Sequence, residues 1–245
     1  MERHDHRLQR LFTEADLAAD AIAAADRDQT NYLLNVLRLK AGASLLLFNG
    51  RDGEWLAEVE NASKKACSLR LVRQTRPQTT PNDLWYLFAP LKQARLDYMV
   101  QKAVEMGVST LVPVITQHTQ VGRVNEKRML ANAVEAAEQC GVLNLPEIDE
   151  AAKLDAVLSR WPEGRHLIFC DEAADGNPIE NLRPLRGKPL AVLIGPEGGF
   201  SQTERDRLTA LPFVATIALG PRILRADTAA VAALAIIQTA AGDWI

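Results

Sequence analysis

The run Leu190-Ala191-Val192-Leu193-Ile194, followed by Gly195-Pro196-Glu197-Gly198-Gly199-Phe200 and then Ser201-Gln202-Thr203-Glu204, decides the fold. Five apolar residues rich in branched side chains read as a strand buried on both faces of an α/β sheet. Ser201 with Glu204 three positions on is a capping box, which predicts a helix from there to about Leu211. The plan then repeats. Val214 to Leu219 reads as a strand, Gly220-Pro221-Arg222-Ile223-Leu224-Arg225 as a turn, and the apolar stretch to about Thr239 as a helix. Two successive strand-to-helix turns put two loops at the carboxyl edge of one sheet, where open α/β folds keep their ligands.

A glycine turn ahead of a helix attracts phosphate through its free N–H groups and the helix dipole. Glu197 inside the turn opposes an anion, and neither the Gly-x-Gly-x-x-Gly fingerprint nor the Lys-Ser/Thr of a P-loop is present. A carboxylate beside close-approaching backbone suits hydroxyls, a purine edge or a cation. For Gly195 to Gly199 alone, a plain tight turn is an equal alternative.

Working outward, strand and helix alternate: strands at Leu84 to Ala89, Ser109 to Ile115 and His166 to Cys170, helices at Leu96 to Met106, Lys127 to Gln139 and Lys153 to Leu158. That alternation predicts an α/β domain with a mostly parallel sheet and helices on both faces. Upstream, Arg76 to Asp83 carries two prolines among small polar residues and reads as a linker, dividing the chain into 1–76 and 77–245. The first part is predicted as a small β-barrel module with one helix, Thr30 to Leu37, and strands at Ser44 to Phe48, Trp55 to Val59 and Lys65 to Val72.

The formal net charge of −3 over 245 residues does not mark a nucleic-acid binder, and the first 76 residues carry 12 basic and 11 acidic groups against 28 and 31 in the whole. RNA binding would need a local basic patch. Cys67, Cys140 and Cys170 are odd in number and widely spaced, which suggests neither a disulfide framework nor a metal site. The polar start, Met1 to Arg10, lacks a signal-peptide shape, and the longest apolar run, Ala226 to Ala241, is short for a bilayer and holds Asp227, Thr228 and Gln238. A cytoplasmic protein without a membrane partner is the expectation. Every residue from Ala229 to Ile237 is apolar, so that helix is buried all round or pressed against a second subunit, which predicts a homodimer.

The two loops together, Ile194 to Gly199 and Leu219 to Arg225 with Asp227-Thr228-Ala229, resemble the signature of the SPOUT methyltransferases. Within them they are most similar to the ribosomal small-subunit methyltransferase E family, which methylates N3 of a uridine in 16S rRNA. Gln101 to Val108 and Glu135 to Gly141 resemble further segments of that family, and Val36-Leu37-Arg38 its PUA-like domain. The likeness spans nearly the whole chain and departs at Tyr32, where a histidine is common, and at His118 and Val142, where arginines are common.

The resemblance implies S-adenosylmethionine (SAM) as methyl donor, a trefoil-knotted domain, a PUA-like N-terminal module, a homodimer and 16S rRNA as partner. It puts the cofactor on Cys170, Ile194, Gly195, Glu197, Gly198, Gly199, Leu219, Gly220, Ile223 and Leu224, with RNA contacts at Arg38, Arg95, Lys102 and Arg222. Arg225 would steady negative charge on the uracil, and Asp227 would accept the imide proton. Both have structural alternatives: a salt bridge for Arg225, with Glu197 as a partner, and a helix N-cap for Asp227. For Arg38 the alternative is a solvated cation at a helix end. Other SPOUT enzymes, a non-catalytic RNA-binding assembly factor and a nicotinamide enzyme remain the competing classes. RNA binding without SAM affinity would mark the second, and a two-cofactor titration the third.

Overall fold

The computed structural model describes residues 8–63, 66–171, 174 and 176–244, which form two compact units. The first contains residues up to Thr80 together with Ala137–Leu145; the second contains Pro81–Ala136 and Pro146 onward. The expected strand start at Lys65 lies outside the described residues.

In the first unit, β1 (Arg10–Phe12), β2 (Ile22–Ala24), β3 (Ser44–Phe48), β4 (Glu54–Ser63) and β5 (Ala66–Arg76) form a five-stranded sheet ordered β1-β3-β4-β5-β2. Only the β1–β3 pair is parallel. Leu45, Leu47, Ala57, Val59, Leu69 and Leu71 alternate inward along the β3-β4-β5 meander and pack with Leu33 from the helical segment. Gly53 turns β3 into β4 at φ +77°, and a Cβ there would lie 2.2 Å from the Arg76 carbonyl oxygen, so no other residue fits.

The helix starts earlier than its apolar spacing predicts. Asp26 and Gln29 form a reciprocal capping box, so α1 runs Arg27–Asn31 and continues as one π-helical turn, Tyr32–Val36.

Beneath β1 lies a buried ionic cluster. Arg10 Nε donates to Glu54 Oε2 at 2.8 Å, while its Nη atoms reach the carbonyls of Ala137, Glu138 (3.1 Å) and Val142 (2.9 Å). Arg76 donates to the Gly141 carbonyl at 2.9 and 3.0 Å. Two arginines therefore satisfy carbonyls that a helix C-terminus leaves without partners.

The second unit holds β6 (Leu84–Phe88), α2 (Gln93–Glu105), β7 (Thr110–Ile115), α3 (Glu126–Cys140, its last turn counted with the first unit), β8 (Glu147–Ile148) and β9 (Ala152–Lys153). After these come α4 (Leu154–Ser159), β10 (His166–Cys170), α5 (Pro178–Leu182), β11 (Leu190–Ile194), α6 (Gln202–Thr209), β12 (Val214–Ile217) and α7 (Ala226–Ala240). The sheet runs β12-β10-β11-β6-β7-β8, with β9 also on β7, and every pair is parallel. Leu87, Val112, Val114, Phe169 and Leu193 face α4 and α6 through Leu154, Leu158 and Leu208. The residue before Leu87 in β6, Tyr86, points the other way and donates its hydroxyl to Met99 of α2. Helices thus cover both faces, as expected.

The outer ladder of β7 breaks at Val112 and Pro113, between the pairings with β8 and β9, and Pro113 has no N–H to give. Among the described residues no helix is long and apolar enough to cross a membrane. Of the two expectations for the last helix, burial all round does not hold in the single chain, which leaves the other, a face against a second subunit. Ala226, Ala230, Ala233, Leu234 and Ile237 are buried, whereas Val231, Ala232, Ala235 and Ile236 remain half-buried.

Candidate active site

β10 lies between β11 and β12, so the segments leaving the carboxyl ends of these three strands converge. They enclose a cavity of about 400 Å³. All ten residues assigned from the sequence to the cofactor lie on its wall: Cys170 at the end of β10, Ile194 at the end of β11 with Gly195, Glu197, Gly198 and Gly199 after it, and Leu219, Gly220, Ile223 and Leu224 after β12. The capping box forms as the sequence demands, with Ser201 N–H donating to Glu204 Oε2 at 2.9 Å and Glu204 N–H to Ser201 Oγ at 3.3 Å. The helix it opens, α6, stops at Thr209, two residues short of the expected end.

The glycines answer two constraints, crowding at Gly195 and Gly198 and backbone conformation at Gly199. A Cβ on Gly195 would sit 2.5 Å from the ring of Phe200, which packs edge-on against Phe169. One on Gly198 would lie 3.1 Å from His118 Cβ, whereas Gly199 faces open space and needs its φ of +68°. Crowding by the chain itself and backbone conformation, rather than ligand approach alone, thus exclude side chains.

Electrostatics separate the wall residues. Arg95 Nη1 binds Glu197 Oε1 at 2.7 Å, so Glu197 is not the partner of Arg225. Arg205 Nη1 binds Asp171 Oδ1 at 2.6 Å on the wall, a pair missed in the sequence. Only Asp171 had a signal, a carboxylate directly after a strand end; nothing local pointed to Arg205 as its partner. Desolvation pushes the Cys170 thiol up to about 12, so it is a neutral wall group near neutral pH.

Arg225 and Asp227 are not on the wall, although Ala226 and Ala229 between and beyond them are. Arg225 occupies the N-cap of α7, and Asp227 sits one residue inside the first turn, accepting the Thr228 N–H at 2.8 Å. The capping alternative for Asp227 is therefore replaced by a first-turn position, favourable to the helix dipole. Arg222 lies on the wall and is exposed; neither it nor Arg225 has an ion-pair partner among the described residues. Lys102 binds Glu105 at 2.6 Å and lies 5.5 Å from the Tyr98 ring. Arg38, in the first unit, is exposed and has φ +56°, so it follows the π turn in left-handed geometry rather than ending a regular helix.

Two family models match the chain: an RNA methyltransferase domain over 78–238 and an RNA methyltransferase PUA domain over 25–72. A ribosomal RNA small-subunit methyltransferase E of Rickettsia conorii is 32% identical over 232 residues, which are 94% of each chain. A methyltransferase structure from Legionella pneumophila in complex with SAM is 29% identical, with TM-score 0.84 over 96% of this chain and 98% of that one. A Neisseria gonorrhoeae structure shares the fold at TM-score 0.88 and 23% identity, over 97% of this chain and 100% of its own.

Proposed function

The chain belongs to the ribosomal RNA small-subunit methyltransferase E family, and from that premise we propose that it transfers the methyl group of SAM to N3 of a uridine in 16S rRNA, using the cavity at the ends of β10, β11 and β12. The observation that carries this reading is the meeting of both Gly-Pro loops on that one cavity, with exposed Arg222 at its edge. Its volume is that of a small-ligand cleft. Ile194, Leu219, Leu224, Ala226 and Ala229 offer apolar surface for a purine, and Glu197 and Asp171, each paired with an arginine, offer carboxylate oxygens as acceptors for ligand hydroxyls rather than net charge.

SAM, when bound, supplies a methyl carbon already activated by its sulfonium charge. The chain's own groups then have to hold the acceptor in line and make it nucleophilic. Uridine N3 is an imide nitrogen that must lose its proton, leaving charge on the flanking carbonyl oxygens. Arg225, exposed at the start of α7, is assigned to that charge, with Arg222 beside it on the same loop. Asp227 is assigned to the proton. Arg38 and Arg222 are the free cations offered to RNA, while Arg95 and Lys102, already paired with carboxylates, contribute less.

The half-buried face Val231, Ala232, Ala235 and Ile236 supports a homodimer through α7. To the segment around the cavity we assign the family's trefoil knot, to residues 1–76 RNA binding and to 77–245 the chemistry, acting on the small ribosomal subunit in the cytoplasm. Incubating naked 16S rRNA and assembled small subunits with enzyme and SAM, followed by nucleoside mass spectrometry, tests the reading: 3-methyluridine is expected, and a methyl on ribose or another base overturns it. Arg225→Ala should slow turnover roughly a hundredfold, the scale for loss of one charge-stabilising donor, while leaving SAM affinity nearly unchanged.

A further inference from the structure

The turn that floors the cavity is held from outside by a residue of another loop. After β7 the chain makes a tight turn, Thr116 to Thr119, in which the Thr119 N–H donates to the Thr116 carbonyl at 3.2 Å and the two threonine hydroxyls lie 2.9 Å apart. That turn is latched to α6, since Gln117 N–H donates to Glu204 Oε1 at 2.8 Å. It presents the His118 ring to the glycine loop, with Nδ1 3.0 Å from the Gly198 carbonyl oxygen and 3.2 Å from that of Gly199. Two acceptors fix the chemistry on the ring side: Nδ1 carries a proton and donates it to both.

Aiming those carbonyls at His118 has a consequence inside the loop. A trans peptide holds its C=O and N–H on opposite sides, so the Gly199 carbonyl directed at His118 turns the Phe200 N–H away from it. The Gly199 N–H is consumed by the Pro196 carbonyl at 2.9 Å, whereas the Phe200 N–H has no partner among the described residues. Phe200 lies on the cavity wall. A small φ/ψ change at glycine would rotate these peptides, because glycine has no Cβ to resist it.

We propose that His118 is a positioning residue for the cofactor: its Nδ1–H locks the Gly198 and Gly199 peptides so that main-chain donors of the loop are presented to SAM. This rests on the SAM reading of the cavity.

Calorimetric titration of SAM into the whole protein tests it with His118→Phe, which keeps an aromatic ring but no donor, and His118→Asn, whose side-chain amide places an N–H near the position of Nδ1. With apo melting temperature recorded for each, His118→Phe should weaken SAM binding roughly tenfold, the scale of one lost hydrogen bond, and His118→Asn should return it to within about twofold of wild type. In turnover, KM for SAM should rise in His118→Phe while kcat at saturating SAM holds within about twofold. His118→Phe binding SAM as wild type does, or His118→Asn binding as weakly as a folded His118→Phe, overturns the proposal. Wild-type protein that binds no SAM overturns the underlying cofactor reading instead, so the two failures are distinguishable.

Discussion

Arg95, in the first turn of α2, grips Glu197, in the loop after β11, through a 2.7 Å contact between groups 102 residues apart. Both side chains are about two-fifths exposed, 40% and 41%. An exposed pair of this kind contributes about 0–1 kcal/mol to stability, so its main effect is to cancel charge where RNA is to approach. Arg95→Ala removes no phosphate contact but leaves the Glu197 carboxylate unpaired, so it should weaken RNA binding without lowering the slope of log affinity against log salt. Arg222→Ala, which removes an unpaired cation, should lower the slope of log affinity against log salt by about 0.7, the increment for one phosphate of a single strand. Fluorescence anisotropy across a salt series reads both.

The packing of Phe200 over Gly195 gives a second expectation. Gly195→Ala must displace an aromatic ring from 2.5 Å, and overpacking of this kind costs about 1–3 kcal/mol. Denaturant unfolding should show that loss, and SAM binding should fall with it because the ring lies on the cavity wall.

The thiols titrate in a defined direction. Desolvation raises Cys170 from 9.0 to about 12 in the folded protein, and raises Cys67 as well. The unfolded chain ionises first on going alkaline, so this contribution to stability is complete below about pH 9 and is lost as pH rises toward 12, at up to about 1.4 kcal/mol per unit for one group. Cys170→Ala should flatten that alkaline decline. At pH 8, alkylation followed by mass spectrometry should label exposed Cys140 well before Cys67 or Cys170.

If α7 joins two copies, a charge on its half-buried face will separate them. Ile236→Glu should convert a dimer to a monomer in light scattering at micromolar concentration, with the helical signal retained because Ile237 and Leu234 still fill the core. Thr239→Glu, at an exposed position on the same helix, should leave the assembly intact.

Much of the site was legible because it is built from short, uninterrupted signals. All five residues of β11 are buried, so the branched run Leu190–Ile194 could be nothing but an interior strand, and the loops at strand ends follow from the alternation. What escaped has equally physical causes. Strands β1 and β2 are three residues long and β8 and β9 two, too short for any period to register. The Asp26–Gln29 box was present in the sequence but overshadowed by the apolar spacing that begins later. Asp171 and Arg205 are separated by 34 residues, and nothing local announces that they meet. Which residues of α7 form its half-buried face was hidden because alanine and isoleucine look alike inside and outside a core.

The arginine clasp under β1 bears on the order in which the chain can mature. The carbonyls that Arg10 and Arg76 hold belong to residues 137–142, which leave the ribosome only after some sixty further residues have been made beyond the linker. Until then the Arg10 and Glu54 charges have one another but not the acceptors that complete their surroundings, and a partly compensated interior charge is costly. The amino-terminal module is thus finished by a piece of later sequence: a nascent fragment ending near Thr80 is an incomplete object until residues 137–142 have been made.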